Sequence, residues 1–211
     1  FVGCGSLTQI TMPDGVVSIG SGAFSGCTDL ETVTIPGTVT QIGSDAFAGC
    51  ENLKELVLPG VLTHIGDNAF AGCTGLTGIR IPASVVSIGK SAFAGCTALK
   101  RITFLGEAPA IGENAFGRVV ATAYYPVCNK TWTEEARQNY GGTLTWVTRD
   151  NGHSFGDWIV DQEPGCTEPG SHHRICSYCG LTEAEQIPAT GHDYVGGICQ
   201  NCGDISWPIS G

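Results

Sequence analysis

The sequence is poor in positive charge and contains no long apolar run. Lys and Arg account for 10 of the 211 residues against 20 Asp and Glu, which gives a formal net charge of -10. Binding to a nucleic-acid backbone requires clustered Lys and Arg, so we exclude nucleic acid as a partner. A membrane-spanning helix needs about 18 consecutive apolar residues, and no such run is present. The sequence therefore predicts no membrane span within this chain.

Signatures of enzymes are also missing. We find no P-loop, no dinucleotide-binding glycine fingerprint, no metalloprotease histidine pair and no nucleophile elbow. We therefore predict that the chain is not an enzyme.

The first half of the sequence is an internal repeat of constant period, marked by Cys4, Cys27, Cys50, Cys73 and Cys96. Each unit reads Cys-x2-Leu-x2-Ile-x-Ile-Pro and continues, after a short spacer, with Ile-Gly-x2-Ala-Phe-x-Gly. A unit this short cannot bury its own apolar side chains, so the copies must stack on one another and share a core. The alternation in Leu-x2-Ile-x-Ile predicts one strand per unit and one parallel sheet, which ends at the proline.

This pattern resembles the BspA-like class of bacterial leucine-rich repeats over residues 1–118. The resemblance implies a right-handed solenoid with a parallel sheet on one face, exported to the cell surface, with adhesion or host-protein binding as the function of some members. Phe1 to Gly3 match the end of a unit. We therefore expect the chain to be a fragment, with the signal and anchor of the parent outside it.

The five cysteines that recur at the same position of each unit, called here the column cysteines, have two interpretations. Neighbouring units place their Cα atoms about 4.8 Å apart, a distance that a disulfide tolerates. However, side chains in one column point the same way, and five cysteines cannot pair completely. We favour buried thiols that fill space as small apolar groups and are unreactive.

Outward-facing strand positions vary from unit to unit, as expected where packing does not dictate the residue. They form two rows, and we predict that this sheet face is the ligand-binding surface: Gln9, Thr32, Glu55, Gly78 and Arg101 in one row, and Thr11, Thr34, Val57, Arg80 and Thr103 in the other. Arg80 and Arg101 lie on adjacent units, and arginine is enriched in interfaces. His64, the one histidine of the repeats, is interpreted as an exposed surface residue.

Residues 119–149 are interpreted as a cap on the solenoid. We expect a sixth strand at Val120 to Pro126, which arrives two residues early relative to the repeat after a short deletion, and a closing strand at Thr143 to Thr148. Between them, Thr131 and Glu134 have the spacing of a capping box, which predicts a helix that ends at Gly141. An open end of a solenoid exposes core, which a cap covers.

Residues 150–211 form an acidic Cys/His-rich tail, with one Arg, no Lys and nine acidic residues. A domain this small rarely folds on its core alone and usually needs a metal or disulfides. Cys176, Cys179, Cys199 and Cys202 form two Cys-x2-Cys-Gly pairs at the spacing of a four-cysteine structural zinc site. The tail is thus predicted to be a small β module.

The tail also allows other ligand assignments. Gly-His-x-aromatic occurs at His153 and again at His192. An alternative zinc site is therefore His153, Cys166, Cys176 and Cys179, which leaves His192, Cys199 and Cys202 one ligand short. Disulfides or an unliganded tail are further alternatives.

Two functions follow from this organisation. The first is non-enzymatic recognition of an extracellular protein or glycan by the sheet face, at the cell surface. The second is a structural spacer of a larger surface protein, in which the Cys/His module or a missing N-terminal domain carries the activity.

Overall fold

The structure is a computed structural model that describes residues 1–149, 155–176, 181–195 and 198–203. The chain forms two compact units, Phe1–Gly152 and His153–Gly211. In both units the described regular structure consists of β-strands, numbered here in chain order. Within the described ranges there is no helix of the length and apolarity that a membrane crossing requires.

The first unit is a solenoid with two ladders of parallel strands. The first ladder contains β1 (Gln9–Thr11), β3 (Thr32–Thr34), β5 (Glu55–Leu56), β7 (Gly78–Ile81), β9 (Arg101–Phe104), β11 (Val120–Pro126) and β12 (Thr143–Arg149). It is hydrogen-bonded as two sheets, β1-β3-β5 and β7-β9-β11-β12. This confirms the predicted parallel sheet and both strands predicted for residues 119–149.

A second ladder runs through the Ile-Gly positions and contains β2 (Ser18–Ile19), β4 (Gln41–Ile42), β6 (His64–Ile65), β8 (Ser87–Ile88) and β10 (Ala110–Ile111). Its strands pair with the same period as the first ladder, as His64 and Ser87 do. The expectation of a single strand per repeat is therefore wrong. Two-residue strands are too short to show alternation in a sequence, although β2, β4 and β6 each bury their Ile and expose the residue before it.

A column of stacked phenylalanine rings runs along the core. Neighbouring rings in the column have centroids 5.2 to 5.5 Å apart and nearly parallel planes. The column consists of Phe1, Phe24, Phe47, Phe70, Phe93 and Phe116. Rings from the third onward are completely buried. Each turn therefore provides the packing surface for the next one.

The column cysteines line the same core. Cys27, Cys50, Cys73 and Cys96 are fully buried free thiols, as predicted, and Cys4 in the first turn is exposed. Each buried thiol also donates a hydrogen bond to a phenylalanine carbonyl 26 residues earlier, as Cys50 Sγ does to Phe24 O at 3.2 Å. Burial raises the pKa of Cys50 and of Cys96 to about 12, so both thiols stay neutral.

A close backbone contact explains the glycine in four of the five Ile-Gly pairs. A Cβ added at Gly66 would lie 2.6 Å from Ser44 N and 2.7 Å from the carbonyl carbon of Gly43. Real Cβ atoms do not approach backbone this closely, so a side chain here would push two turns apart. The equivalent glycines of three other turns are equally crowded: Gly43, Gly89 and Gly112.

The predicted helix in the cap is wrong, because residues 127–142 form turns. The hydroxyl of Thr131, expected to cap the helix, accepts a hydrogen bond from Ala108 N (2.8 Å) and donates one to Asn129 Oδ1 (2.6 Å). It is therefore not available to the N–H of Glu134. A helix this short is marginal by itself, and tertiary contacts override its propensity.

Aromatic packing closes the end of the solenoid in place of a helix. Trp132 is 5% exposed, and its ring lies 4.6 Å from Phe104 between centroids. Its Nε1 donates to the carbonyl of Gly106 at 3.0 Å. Trp146 of β12 packs against Phe104 and Trp132 at 5.7 and 5.5 Å. The cap thus continues the core of the repeats, which extends from Ile19 to Leu144.

The second unit contains two small antiparallel sheets, formed by β13 (Ile159–Gln162), β14 (Gly170–Ile175) and β15 (Thr182–Ile187), and by β16 (Tyr194–Val195) and β17 (Ile198–Cys199). Side chains on the larger sheet stack on one another but remain partly exposed. The guanidinium of Arg174 lies over the rings of Phe155 and Trp158 at 4.8 and 4.7 Å and pairs with Glu183. The β character agrees with the prediction for the tail.

Candidate functional site

The first candidate site is the sheet face, the outward side of the first ladder. Most of the predicted residues lie there and are exposed: Gln9, Thr11, Thr32, Thr34, Glu55, Val57, Arg80 and Arg101. Gly78 is half-buried. Val57, which directly follows β5, is a large apolar side chain that is 80% exposed. The rows predicted from the repeat are therefore present on one surface.

Thr103 is the exception, because it is only 6% exposed and offers little to a partner. Its neighbours on the adjacent strands are Arg80 and Tyr124, both with longer side chains. The guanidinium of Arg101 also reaches diagonally over the ring of Tyr124, at 5.3 Å from the ring centroid. Thr103 is thus flanked on both neighbouring strands by a longer side chain, which accounts for its low exposure. The prediction that Thr103 is exposed was therefore wrong.

Arg80 and Arg101 lie diagonally across the neighbouring strands β7 and β9. Within the described residues, neither guanidinium has an acidic partner. The nearby Lys54, in contrast, pairs with Glu31 at 3.1 Å. The stacking of Arg101 on Tyr124 restricts its side chain. This part of the sheet face therefore offers cationic donors to an anionic group.

The second ladder presents a different outward row, which includes His64. Its ring is exposed, as predicted, and Nδ1 lies 2.8 Å from the hydroxyl of Thr63. The flanking residues in the row are Gln41 and Ser87. A polar, exposed row of this kind is typical of a hydrated surface.

The second candidate site is a cluster of metal-ligating side chains in the second unit. Cys166, His192, Cys199 and Cys202 each direct one ligand atom to a common point, and these atoms all lie within 4.8 Å of one another. Cys166 Sγ and Cys199 Sγ are 3.5 Å apart, and Cys202 Sγ is 3.5 Å from His192 Nδ1. Cys166 and Cys199 are buried, whereas the other two are exposed.

Backbone hydrogen bonds hold the segments of this cluster together. Gly191 N donates to Cys166 O at 3.0 Å, which holds the loop before β14 against the loop before β16. Gly203 N donates to Cys199 O at 2.9 Å and so closes the turn that carries Cys199 and Cys202. Gly203 has a φ of 74°, a left-handed conformation that favours glycine at this position.

The thiols of the cluster differ in acidity. A hydrogen bond with Cys202, together with burial, raises the pKa of Cys166. Burial also acts to raise the pKa of Cys199, but hydrogen bonds from Cys202 N–H, His192 and Asn201 N–H outweigh it and lower that pKa. The surroundings of Cys199 thus favour a thiolate, the form of cysteine that binds metals.

The cluster combines residues that the sequence assigned separately. Cys199 and Cys202 come from the four-cysteine set and Cys166 from the alternative set, whereas His192 was in neither. Cys176 is buried, and its backbone bridges to Phe155. His153 and Cys179, which complete the predicted sets, lie outside the described residues. The recurrence of Gly-His-x-aromatic at His192 was the signal that could have identified the fourth ligand.

Comparison with known proteins identifies the family of the first unit. The family profile described as BspA type leucine rich repeat region matches residues 1–121 in six copies. The chain belongs to this family. It is a BspA-type leucine-rich repeat protein over more than half of its length, which confirms the resemblance found in the sequence. No curated protein matches the chain.

Three solved structures are similar to the solenoid. A leucine-rich repeat protein from Bacteroides ovatus ATCC 8483 has 28% identity and a TM-score of 0.48, over 60% of this chain and 45% of that one. The T. pallidum leucine-rich repeat protein has 31% identity and a TM-score of 0.49, over 56% and 65%. A leucine-rich cell surface protein from Faecalibacterium prausnitzii A2-165 has 27% identity and a TM-score of 0.39, over 57% and 41%. The matches thus cover less than two thirds of each of these relatives.

Proposed function

We propose that the chain is a non-enzymatic recognition module of an extracellular or cell-surface protein, and that its solenoid binds a protein or glycan through the sheet face. The observation that carries this proposal is the pair of outward arginines, Arg80 and Arg101, which have no acidic partner among the described residues. Repeat solenoids commonly use such extended surfaces for binding. Membership of the BspA-type family supports the same location and role.

The charge of this surface favours an acidic ligand. Arginine donates paired hydrogen bonds that match carboxylates, phosphates and sulfates. The chain as a whole carries a net charge of -10, so two neighbouring free cations are a local exception. We therefore expect a carboxylate-bearing or sulfated group of the partner to lie over Arg80 and Arg101.

Binding to arrays of acidic glycans and acidic peptides tests this proposal. The double variant Arg80→Glu, Arg101→Glu should lose binding by at least about tenfold for each arginine, because a hydrogen bond to a charged group contributes about 1.5–3 kcal/mol. The control is Lys90→Glu, Lys130→Glu, which makes the same change in charge at exposed residues outside the first ladder. Equal binding by both double variants would refute a role for the sheet face, and a wild-type chain that binds no probe would favour the spacer function.

We also propose that the second unit is a structural module held together by a metal ion, zinc being the candidate. Among its described residues the buried apolar side chains are Cys166, Cys176 and Cys199, and all three are cysteines. The described part of the unit thus lacks the apolar core that stabilises an ordinary domain. A ligand cluster in its place supplies the missing free energy when the ion binds.

Trypsin reports on this metal dependence, because Arg174 is the one Lys or Arg after Arg149. Arg174 lies within β14, so cleavage after it requires the second unit to open. We expect the chain as purified without chelator to resist cleavage at Arg174, and chelation under reducing conditions to expose this bond. Cleavage after Lys130, which is exposed in a turn of the cap, is the internal control for protease activity. Unchanged resistance after complete removal of metal would refute the metal-held module.

A further inference from the structure

The distances in the Cys/His cluster match the edges of a small tetrahedron. Zinc bonds of 2.3 Å to sulfur and 2.0–2.1 Å to nitrogen imply ligand separations of about 3.8 Å between two sulfurs and about 3.6 Å between sulfur and nitrogen. The observed separations are 3.5 Å for Cys166 Sγ to Cys199 Sγ and 3.5 Å for Cys202 Sγ to His192 Nδ1. Two of the six separations among the four ligand atoms are therefore close to those around one shared ion, and the other four are no longer than 4.8 Å.

The ligand chemistry selects among metals. Three thiolates and one imidazole are soft to borderline ligands, which bind zinc and disfavour calcium and magnesium, both of which prefer oxygen. Four protein ligands also leave no open position for a substrate or an activated water. The site is therefore of the structural kind rather than the catalytic kind.

The surroundings of the cluster support the ligands. The N–H groups of Asn201 and Cys202 hydrogen-bond the sulfur of Cys199 at the turn between the two cysteines. The ring of His192 stacks on Tyr194 with centroids 5.2 Å apart, which restricts its orientation. Such outer contacts fix the ligands of metal sites in the position that the ion requires.

We infer that Cys166, His192, Cys199 and Cys202 bind one zinc ion as a structural Cys3His site. The inference rests on the proposed metal-held role of the second unit and assigns its ion and ligands. It joins two distant stretches of sequence, because Cys166 lies before β14 and the other three ligands follow β15. The zinc thereby closes a loop that contains the two longest strands of the second unit.

Zinc content of single variants of the full chain tests the ligand set. We expect Cys166→Ser, His192→Ala and Cys202→Ser each to lose one equivalent of zinc relative to the wild type, after purification without chelator. Cys176→Ser is the discriminating control, because Cys176 belongs to both ligand sets predicted from the sequence but not to the cluster. Loss of zinc from Cys176→Ser with full retention by Cys166→Ser and His192→Ala would overturn the assignment.

The variant His192→Cys exchanges a ligand instead of removing one. Its result therefore does not depend on whether the loss of a ligand unfolds the second unit. A fourth thiolate can replace the imidazole, so this variant should retain one equivalent of metal. After substitution by Co²⁺, its thiolate-to-cobalt charge-transfer absorption should be stronger than in the wild type, with the visible bands typical of tetrahedral cobalt in both. An unchanged spectrum would overturn ligation by His192.

Failure of the ligand set and failure of the metal-held role have different signatures. If zinc is bound but through Cys176, the ligand variants keep their metal while trypsin still cuts at Arg174 only after chelation. If the module needs no metal, the tryptic pattern does not change on chelation. Mass spectrometry that finds a Cys166–Cys199 disulfide in zinc-free protein, purified with its oxidation state preserved, would overturn the zinc site in favour of a covalent link.

Discussion

The stacked phenylalanine column makes a quantitative prediction for the variant Phe70→Ala. Phe70 is completely buried, and its ring lies between those of Phe47 and Phe93, with centroids 5.4 and 5.2 Å away. Truncation removes a full aromatic side chain from the middle of the core. It leaves a cavity that the neighbouring turns cannot fill, because each is held in place by the turns beyond it. It also separates two halves of the column.

The cost follows from these contacts. Truncation of a buried phenylalanine to alanine costs about 3–5 kcal/mol, and the loss of a stacked neighbour on each face places this site at the upper end of that range. We therefore expect the free energy of unfolding of the first unit to fall by about 5 kcal/mol. Since domains are stable by only about 5–15 kcal/mol, the variant should be close to unfolding at room temperature.

Urea denaturation measures this loss, with the fluorescence of Trp132 and Trp146 reporting on the cap and circular dichroism on the strands. The matched control is Phe1→Ala at the end of the same column, where the ring is 68% exposed and stacks on Phe24 alone at 5.5 Å. That variant should lose less than about 1 kcal/mol. If Phe70→Ala destabilises the chain no more than Phe1→Ala, the column does not carry the stability that its geometry indicates.

Three further predictions concern the solenoid. Gly66→Ala should lower the free energy of unfolding by about 1–3 kcal/mol, since its Cβ would lie 2.6 Å from backbone, whereas Gly60→Ala, with no atom within 4 Å, should change it little in the same denaturation assay. The pKa of Cys50 and of Cys96 is raised by burial from 9.0 to about 12, so the unfolded chain releases these protons first as the pH rises. The free energy of unfolding is therefore at its full value below pH 9 and falls between pH 9 and 12, by at most about 1.4 kcal/mol per pH unit for each thiol. The double variant Cys50→Ala, Cys96→Ala should show a shallower decline of this free energy with pH. An equal decline in both proteins would contradict the assignment. Trp132→Phe should cost about 1–3 kcal/mol, because it leaves a backbone carbonyl without its donor, and a melting temperature equal to that of the wild type would show that water replaces the indole N–H.

The sequence predicted the repeat part of the fold because each repeated residue is dictated by packing against its own copies. The phenylalanine and cysteine columns and the strand before each proline follow from stacking turns of equal length, and the early arrival of the sixth strand follows from a deletion of two residues. In the register, Ala123 lies opposite Ile102, two residues earlier than the period of the repeat would place it. Local pattern and tertiary contact agree at these positions, so sequence reasoning succeeds there.

Sequence reasoning failed where a single long-range contact decides the outcome. Thr131 has the spacing of a helix cap, but its hydroxyl binds Ala108, 23 residues earlier. Thr103 occupies an outward position, but longer side chains on both neighbouring strands flank it. The ligand cluster is a third case, because Cys166 meets His192 through a backbone hydrogen bond between their loops and not through any fixed spacing. Such contacts are invisible in one sequence.

The uniform register of the ladders has a consequence for how the chain can change length. Removing one complete period between equivalent positions of two turns rejoins strands, glycines and rings to partners of the same kind, so each turn is a unit that can be gained or lost whole. A deletion that falls one residue short of the period would instead leave one extra residue at the junction, which reverses the inward and outward sides of the strand there unless the adjoining loop absorbs it. Length variation in this solenoid is therefore expected in steps of one complete turn, each of which adds about 4.8 Å of length and one new pair of outward side chains for a partner to contact.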